Sequence, residues 1–263
     1  MNLPSDRIDA DMVRQLFDLS GRAAIVTGGT RGIGLAIAQG LAAAGAGVAV
    51  ASRKADACAE VAAALSASGA DAIGVPTHLG DLDAGKALVE AAVERFGRLD
   101  ILVNNAATAL TQPVGEFTVD AWSKVYDVNL RGPVFLVQEA LPHLEASPAA
   151  SIVNVISAGA FLFSVPTAMY SGAKAALMSL TRSMAGAFAA RGIRVNALAP
   201  GSVDTDMMRN NGPEAVERMG NASLMRRVAS PAEMVGPALF LASDASSFMT
   251  GQVLLVDGGL APH

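Results

Sequence analysis

The pattern that most restricts the fold of this chain is a regular alternation between short apolar runs and longer alanine-rich segments. Seven runs of six to eight residues are apolar almost throughout, which is typical of strands that helices cover on both faces. This alternation predicts an α/β fold, in which a doubly wound sheet of about seven parallel strands carries helices on both faces. The predicted strands are residues 23–28, 47–52, 72–77, 100–105, 151–157, 193–200 and 252–257.

Length and composition agree with a single domain. The chain has 263 residues, 52% of them hydrophobic, which is enough to bury a large core. We find no linker, fixed-period repeat or low-complexity block, so we expect an N-terminal extension over residues 1–15 and one domain over residues 16–263. The extension carries acidic residues and no apolar segment of the kind found in secretory signals.

Charge and cysteine content argue against several classes of protein. A net charge of −5 is not that of a general nucleic-acid binder, which would carry a basic excess. Cys58 is the only cysteine, so we expect no intrachain disulfide and a reducing, cytoplasmic location. The longest uncharged stretch, residues 146–173, is interrupted by Asn154, Gly159 and Pro166. It therefore predicts a buried strand and a loop rather than a membrane span.

The junction between the first predicted strand and the next helix carries the motif TGGTRGIG, residues 27–34. Gly28, Gly32 and Gly34 allow a tight turn and let a diphosphate approach the backbone, where the helix N-terminus offers free N–H groups. No Lys-Ser/Thr pair follows, so this is not the phosphate loop of nucleoside triphosphatases. An ordinary glycine turn is the alternative, but the strand before and the helix after favour a Rossmann-like dinucleotide site.

The second predicted strand ends in Ser52, Arg53 and Lys54. In a dinucleotide-binding fold an acid at this end binds the 2′-hydroxyl of NAD, whereas a basic residue accommodates the 2′-phosphate of NADP. No acid is present, and Arg31 in the glycine motif could reach the same phosphate, so we expect NADP(H) in preference to NAD(H). A solvated basic loop without a ligand is the alternative.

The pentapeptide YSGAK places Tyr170 and Lys174 on one face of a predicted helix. An unperturbed tyrosine has a pKa of about 10, and a nearby cation lowers the pKa of an acid by about 1–3. We therefore expect Lys174 to make Tyr170 a working general acid. Ser157 ends the fifth predicted strand, where such sheets bind ligands, and could donate to a carbonyl oxygen. A partly buried tyrosine beside a lysine that extends to solvent is the alternative.

Two asparagine patterns are weaker signals when taken alone. NNAA, residues 104–107, closes the fourth strand, where asparagines can tie strand ends together and alanines leave room for a ribose. Asn129 in DVNLRG falls within a predicted helix, where asparagine is usually unfavourable and therefore needs a reason.

In their order, these motifs and PGSVDT at residues 200–205 resemble the short-chain dehydrogenase/reductase superfamily in its single-domain form. The resemblance extends from about residue 16 to near the end of the chain. It implies an oxidoreductase that transfers hydride between a nicotinamide dinucleotide and a small carbonyl or secondary alcohol substrate. The alternatives are an NAD-dependent dehydrogenase of the same fold and a relative that binds the dinucleotide without catalysing a reaction. The resemblance also implies a homotetramer, with a dimer as the alternative. No histidine has a partner at metal-ligand spacing, so no metal is expected.

The resemblance implies roles for individual residues. Tyr170 matches the proton donor or acceptor, Ser157 the residue that hydrogen-bonds the substrate oxygen, and Lys174 the one that holds the nicotinamide ribose. Asn129 matches the residue that anchors a water in a proton relay toward Lys174. The motifs and the resemblance together give a cofactor-binding set of Gly28, Thr30, Arg31, Gly32, Ile33, Gly34, Ser52, Arg53, Lys54, Leu79, Asn105, Ala106, Ala107, Tyr170, Lys174, Pro200, Gly201, Val203 and Thr205.

Two positions depart from the family pattern. Ala107 stands where the family usually has glycine, and His78 stands where it commonly has an aspartate that binds the adenine amino group. The backbone of Leu79 could still contact the adenine, so we expect cofactor binding to survive. A surface histidine without a ligand is the alternative for His78.

The substrate end of the site is less specific. Residues 161–163 follow Ser157, and Met207 and Met208 lie in a segment, about 204–227, that matches the family's mobile substrate flap. Phenylalanine and methionine here indicate an apolar, adaptable pocket, although the same residues could pack against the core or another subunit.

Overall fold

The structure is a computed structural model that describes residues 8–261. Within that range, seven parallel strands form one sheet in the order β3-β2-β1-β4-β5-β6-β7. The strands are β1 Ala23–Thr27, β2 Gly47–Ser52, β3 Ala72–Pro76, β4 Ile101–Asn104, β5 Ser151–Val155, β6 Arg194–Pro200 and β7 Val253–Val256. Each predicted run contains one of these strands, and the predicted doubly wound α/β fold is confirmed.

Burial on both faces explains why the strands are apolar throughout. Every residue of β1 and of β5 is buried. Along β1, Val26 packs with Ile37 on one side of the sheet, whereas Ile25 packs with Leu88 on the other. Two hydrophobic layers therefore enclose the sheet, as is usual for parallel sheets.

Helices connect the strands and cover both faces. Three of them end, as their glycines predict, in a left-handed residue: Gly45, Gly69 and Gly97 have φ values of 98°, 95° and 71°. The helices are α1 Ala10–Gln15, α2 Gly32–Ala43, α3 Ala55–Ala67, α4 Leu82–Phe96, α5 Val119–Tyr126, α6 Gly132–Glu145, α7 Ala168–Phe188, α8 Asp206–Arg209, α9 Pro213–Asn221 and α10 Val235–Ala242.

The helical region around Asn129 is not a continuous α-helix. A π-helical turn, Asp127–Arg131, joins α5 to α6. Such turns are rare and are frequent at functional sites. Asn129 is buried inside this turn. The asparagine that is unfavourable in a helix thus stands where the helix geometry changes, a feature that the sequence did not predict.

Several segments contain structure that the sequence pattern did not predict. Of the predicted extension, residues 1–7 lie outside the described part of the chain and residues 10–15 form α1. The flap, residues 204–227, contains α8 and α9. The uncharged stretch contains β5, a 3₁₀ turn at Ala158–Ala160 and the start of α7. In residues 8–261 no helix has both the length and the apolar character needed to cross a membrane.

The direction of the strands decides where the loops meet. Since all strands are parallel, their carboxyl ends share one edge of the sheet. Thr27, Asn104, Val155 and Pro200 end the four neighbouring strands β1, β4, β5 and β6. The loops that follow these residues therefore converge at the edge where open α/β sheets bind ligands.

Candidate active site

The loop between β1 and α2 is a close-packed turn that requires glycine. Gly28 and Gly32 have φ values of 65° and 54°, in the left-handed region. A Cβ on Gly34 would lie 2.2 Å from the Gly28 carbonyl oxygen and 2.3 Å from Asn105 Nδ2. Helix α2 therefore begins directly against the loop, with no space for a side chain at that point.

The amino end of α2 fits a diphosphate group. Arg31 is the N-cap residue but makes no side-chain capping hydrogen bond, and the first turn contains no acidic residue. The N–H groups of that turn are therefore open to an anion at the positive end of the helix dipole. Because the glycines also leave the backbone uncovered, the residues present fit the diphosphate of a dinucleotide cofactor. Thr30 and Ile33 belong to the same loop and first turn.

Hydrogen bonds hold the ends of β1 and β4 together. The Thr27 hydroxyl accepts from the backbone N–H groups of Asn105, at 3.0 Å, and Ala106, at 3.1 Å. The Asn105 side-chain amide donates to the Thr27 carbonyl at 2.8 Å. The segment from Asn105 to Ala107 is thereby held beside the glycine loop, in agreement with the expectation that the asparagines tie strand ends together.

A buried polar chain crosses from β4 to α7. Asn104 Nδ2 donates to Asn154 Oδ1 at 2.9 Å, and Asn154 Nδ2 donates to Thr181 Oγ1 at 2.9 Å. The Thr181 hydroxyl donates in turn to the Leu177 carbonyl at 2.8 Å. Asn154 and Thr181 were missed by the sequence analysis because neither belongs to a motif. The available signal was an asparagine in the middle of an apolar strand.

The end of β2 is basic, and its two cations are open. Arg53 and Lys54 are exposed, and neither forms a salt bridge with any carboxylate of residues 8–261. The Ser52 hydroxyl lies 3.3 Å from Cys58 Sγ. Arg31 differs, because its Nη1 lies 3.3 Å from Asp206 Oδ2 in the flap. The glycine loop and the flap are thus joined by an ion pair.

His78 is exposed after β3, and its Nδ1 accepts from the Gly80 N–H at 3.1 Å. The Leu79 side chain is buried, and a Cβ on Gly132 would lie 2.2 Å from the Leu79 carbonyl oxygen. Neither contact tests a role in adenine binding, which stays a prediction. Within the described range, no three His, Cys, Asp or Glu residues are grouped in a way that could hold a metal ion.

Tyr170, Lys174 and Ser157 meet at the carboxyl end of β5. Tyr170 and Lys174 lie on successive turns of α7, as YSGAK predicted. Lys174 is 2% exposed, and its Nζ donates to the Val155 carbonyl at 2.7 Å and lies 5.8 Å from the centre of the Tyr170 ring. The Ser157 hydroxyl accepts from the Gly159 N–H at 3.0 Å and also interacts with the Tyr170 side chain. A hydroxyl that accepts still has its own proton to donate.

The expectation that Lys174 lowers the pKa of Tyr170 is wrong for this structure. Burial raises the pKa of the Tyr170 phenol above its usual 10, and the hydrogen bond with Ser157 offsets only part of this. Burial also lowers the pKa of Lys174 to about 8. The physical reason is that a buried site disfavours the charged form of both groups, while the Lys174 ammonium is bonded to the Val155 carbonyl.

Asn129 uses its side chain to hold a loop. Its Oδ1 accepts from the Thr108 N–H and its Nδ2 donates to the Thr108 carbonyl, both at 2.8 Å. These bonds tie the π-helical turn to the segment after β4. The proton-relay role that the family resemblance implies stays a prediction. The sequence analysis missed Thr108 because Asn129 bonds only its backbone groups, and a backbone contact does not depend on the type of side chain.

The segment after β6 begins close to the glycine loop. A Cβ on Gly201 would lie 2.6 Å from the Asp257 Cα, so the chain after Pro200 packs tightly against the end of β7. Val203 pairs with Ala229 in an isolated bridge. Thr205 caps α8, and its Cγ2 would lie 3.1 Å from a Cβ on Gly32. The flap therefore starts beside the loop that fits a diphosphate.

Comparisons with known proteins agree with this geometry. A family model described as enoyl-(acyl carrier protein) reductase matches residues 28–261. The rhamnolipids biosynthesis 3-oxoacyl-(acyl-carrier-protein) reductase of Pseudomonas aeruginosa is 40% identical over 250 residues, which cover 92% of this chain and 97% of that protein. The cis-4-hydroxycyclohexanecarboxylate dehydrogenase of Sinomonas cyclohexanicum is 41% identical over 239 residues, covering 90% and 96%. The structure of a gluconate 5-dehydrogenase from Burkholderia cenocepacia, in complex with NADP and tartrate, has a TM-score of 0.90 at 34% identity and covers 94% of this chain and 98% of that chain.

Proposed function

The chain belongs to the short-chain dehydrogenase/reductase family of oxidoreductases, and we propose that it transfers hydride between NADP(H) and a carbonyl or secondary alcohol substrate. The observation that supports NADP(H) lies at the end of β2, where Arg53 and Lys54 are exposed and no acidic residue is present. An acid would bind the 2′-hydroxyl of NAD, whereas a guanidinium suits the 2′-phosphate of NADP. The solved relative from Burkholderia cenocepacia binds NADP, which supports the same preference.

The proposed cofactor site follows the carboxyl edge of the sheet. The glycine loop, residues 28–34, would hold the diphosphate, and residues 105–107 would lie beside the adenosine ribose. Lys174 would hold the nicotinamide ribose, and residues 200–205 would hold the carboxamide. When bound, the dinucleotide supplies or accepts the hydride at the substrate carbon.

Ser157 and Tyr170 would act on the substrate oxygen. The proton of the Ser157 hydroxyl would bond this oxygen and orient it. Tyr170 would give a proton to the oxygen during reduction and take one during oxidation, as a general acid and base. Because burial raises its pKa, the phenol is protonated near neutral pH, which is the form that reduction needs.

The test of the cofactor preference is a fluorescence titration with NADPH and with NADH. We expect NADPH to bind more tightly than NADH. Arg53→Ala and Lys54→Ala together should weaken NADPH binding by about 10- to 150-fold and leave NADH binding unchanged, since charge-assisted bonds to a phosphate contribute about 1.5–3 kcal/mol. Arg182→Ala, which removes an exposed cation of α7, is the matched control and should change neither. Equal or tighter binding of NADH would contradict the proposal.

One observation favours a second candidate, NAD(H). Arg31 contacts Asp206, so one of the two cationic groups expected to face the 2′-phosphate has a carboxylate partner. If NADH binds more tightly, the oxidoreductase assignment stands and the preference moves to NAD(H).

We further propose a homotetramer in the cytoplasm, with a dimer as the alternative. Exposed apolar side chains support two contact surfaces: Trp122 and Phe135 on α5 and α6, and Phe248 in the loop before β7. The single cysteine, Cys58, is buried and free, which suits a reducing compartment. Sedimentation equilibrium measures the mass directly.

A further inference from the structure

We infer that the substrate carries an uncharged aliphatic chain, which lies between two segments that border Ser157 and Tyr170. This inference rests on the proposed function, because it concerns the part of the substrate beyond the reacting carbonyl. The first segment, the apolar loop, is residues 158–167 and runs from Ser157 to the start of α7. The second is the flap, residues 204–227, which follows β6. Since β6 is the neighbour of β5, both segments leave the same edge of the sheet.

The apolar loop presents almost no polar side chain. It contains no charged residue, and it exposes Phe161, Phe163 and Val165, with Phe163 95% exposed. Its two hydroxyl side chains, Ser164 and Thr167, lie 2.6 Å apart and bond each other. The hydroxyls are therefore satisfied within the loop, and the surface left for a ligand is hydrocarbon.

The flap is electrically balanced, and most of its charges are paired. It has four acidic and four basic residues. Arg209 forms a two-bond ion pair with Asp204, at 2.7 and 2.8 Å, and Arg227 forms one with Glu233, at 2.6 and 2.8 Å. Arg226 is the flap arginine without a carboxylate partner among residues 8–261.

The flap also exposes apolar side chains. Leu224 is 85% exposed, and Met225 and Met207 are exposed as well. The Met225 N–H donates to the Gly258 carbonyl at 3.0 Å. This bond holds Leu224 and Met225 at the carboxyl end of β7, on the same edge as Ser157. The apolar loop after β5 and the flap after β6 thus both expose hydrocarbon at the carboxyl edge of the sheet, the edge at which Ser157 and Tyr170 lie.

This surface chemistry favours an aliphatic substrate over a sugar or an acid. A polyhydroxylated or anionic substrate loses its water on binding and needs polar or charged partners in exchange. In these two segments most such groups already bond each other. An aliphatic chain needs none, and each methylene group that it buries contributes about fourfold to binding.

The test is a homologous series of 2-alkanones, from butanone to 2-undecanone, with NADPH and NADH offered separately as cofactors. We expect kcat/KM to rise about two- to fourfold per added methylene until the chain extends beyond the two segments. Keto sugar acids of similar size should be much poorer substrates. Offering both cofactors ensures that a wrong NADP(H) preference does not conceal the result.

Two substitutions connect the chain-length effect to the two segments. Phe163→Ser and Leu224→Ser should each reduce the gain in kcat/KM per added methylene. Phe248→Ser is the matched control, because Phe248 is fully exposed but lies in the loop that enters β7 at the opposite edge of the sheet. That variant should keep the wild-type slope.

The outcomes separate this inference from the proposed function. A flat response to chain length, or a preference for keto sugar acids, overturns the inference and leaves the oxidoreductase assignment intact. If neither cofactor is bound, the proposed function fails. The inference is then tested by thermal unfolding. Binding of an aliphatic chain predicts that 2-undecanol raises Tm more than 2-butanol, and equal shifts would overturn the inference. A lower oligomer mass in Phe163→Ser or Leu224→Ser, with an unchanged slope, would assign these side chains to a contact between subunits and also overturn the inference.

Discussion

Lys174 is a lysine with almost no contact with water, and burial lowers its pKa from 10.5 to about 8. Between about pH 8 and 10.5 the unfolded chain holds this proton and the folded protein does not, so stability rises with pH through that window. Below about pH 8 the buried charge costs about 3 kcal/mol relative to an exposed lysine. At the residue scale, the buried charge of Lys174 thus lowers the free energy of unfolding below about pH 8.

Lys174→Met should remove this pH dependence. We expect the variant to be more stable relative to wild type at pH 7 than at pH 10, by about 3 kcal/mol in the unfolding free energy. Urea denaturation at several pH values measures the difference. Lys54→Met replaces an exposed lysine and is the control, for which the difference between variant and wild type should be flat. A flat profile in Lys174→Met would mean that this ammonium is well solvated.

Tyr170→Phe tests the proton transfer directly. We expect turnover to fall by about 10²–10⁴-fold, because a positioned general acid or base contributes that much, while NADPH affinity stays nearly unchanged. Stopped-flow oxidation of NADPH and a fluorescence titration measure the two quantities. Tyr126→Phe makes the same change at the only other tyrosine and should retain activity. Wild-type rates in Tyr170→Phe would remove this residue from the mechanism.

At the scale of elements, we expect dinucleotide binding to depend on the contact between the glycine loop and the first turn of α2. Gly34 is a helical residue, so its role is not backbone freedom. A side chain there would collide with the Gly28 carbonyl oxygen and the Asn105 amide. These atoms belong to two different strand–helix junctions, and a Cβ would push them apart.

Gly34→Ala should therefore abolish measurable dinucleotide binding and lower Tm. Gly186→Ala is a matched control in another helix, since a Cβ on Gly186 meets no atom within 4 Å. It should leave binding unchanged and stabilise α7 by about 0.5–1 kcal/mol, the usual gain of alanine over glycine inside a helix. Differential scanning fluorimetry with and without NADPH measures both effects. Retained binding in Gly34→Ala would show that the loop has space that the structure does not indicate.

At the scale of the whole molecule, the candidate site and a buried, hydrogen-bonded carboxylate lie at opposite edges of the sheet. The carboxyl edge carries the candidate site, and the amino edge is held by Asp100, which is buried immediately before β4. Its carboxylate accepts from Arg98 Nε and Nη2, both at 2.7 Å, from the Ala23 N–H at 2.8 Å and from the Ser147 hydroxyl. Burial raises the pKa of Asp100, but these hydrogen bonds outweigh it and hold the pKa below 3.8.

Asp100→Asn should destabilise the protein without affecting the site. A carboxylate with a depressed pKa contributes stability above its unfolded-state pKa and loses it as the pH falls through the folded-state value. At pH 7 we expect a loss of about 3 kcal/mol in the unfolding free energy, with unchanged NADPH affinity. Asp71→Asn breaks an exposed pair with Arg95 and should cost less than about 1 kcal/mol. Loss of NADPH affinity in Asp100→Asn would show that the two edges are coupled.

Local sequence features determined the strands of this protein and the positions of its motifs. Apolar runs were sufficient to predict the seven strands, because burial on two faces leaves a continuous apolar pattern in each run. Short motifs predicted where the glycine loop, Ser157, Tyr170 and Lys174 stand, because strand ends and helix starts bring them to one edge whatever the details of packing.

Only the tertiary structure decided what surrounds those groups. The raised pKa of Tyr170, the pairing of Arg31 with Asp206 and the bonds from Asn129 to Thr108 depend on burial and on partners brought near by folding, some of them far along the chain. The burial of a single polar side chain and its partners from distant segments leave no mark in the local pattern of residues. The π-helical turn around Asn129 also could not be predicted from the local sequence, because the single extra residue in such a turn is recognised only from the contacts that it permits.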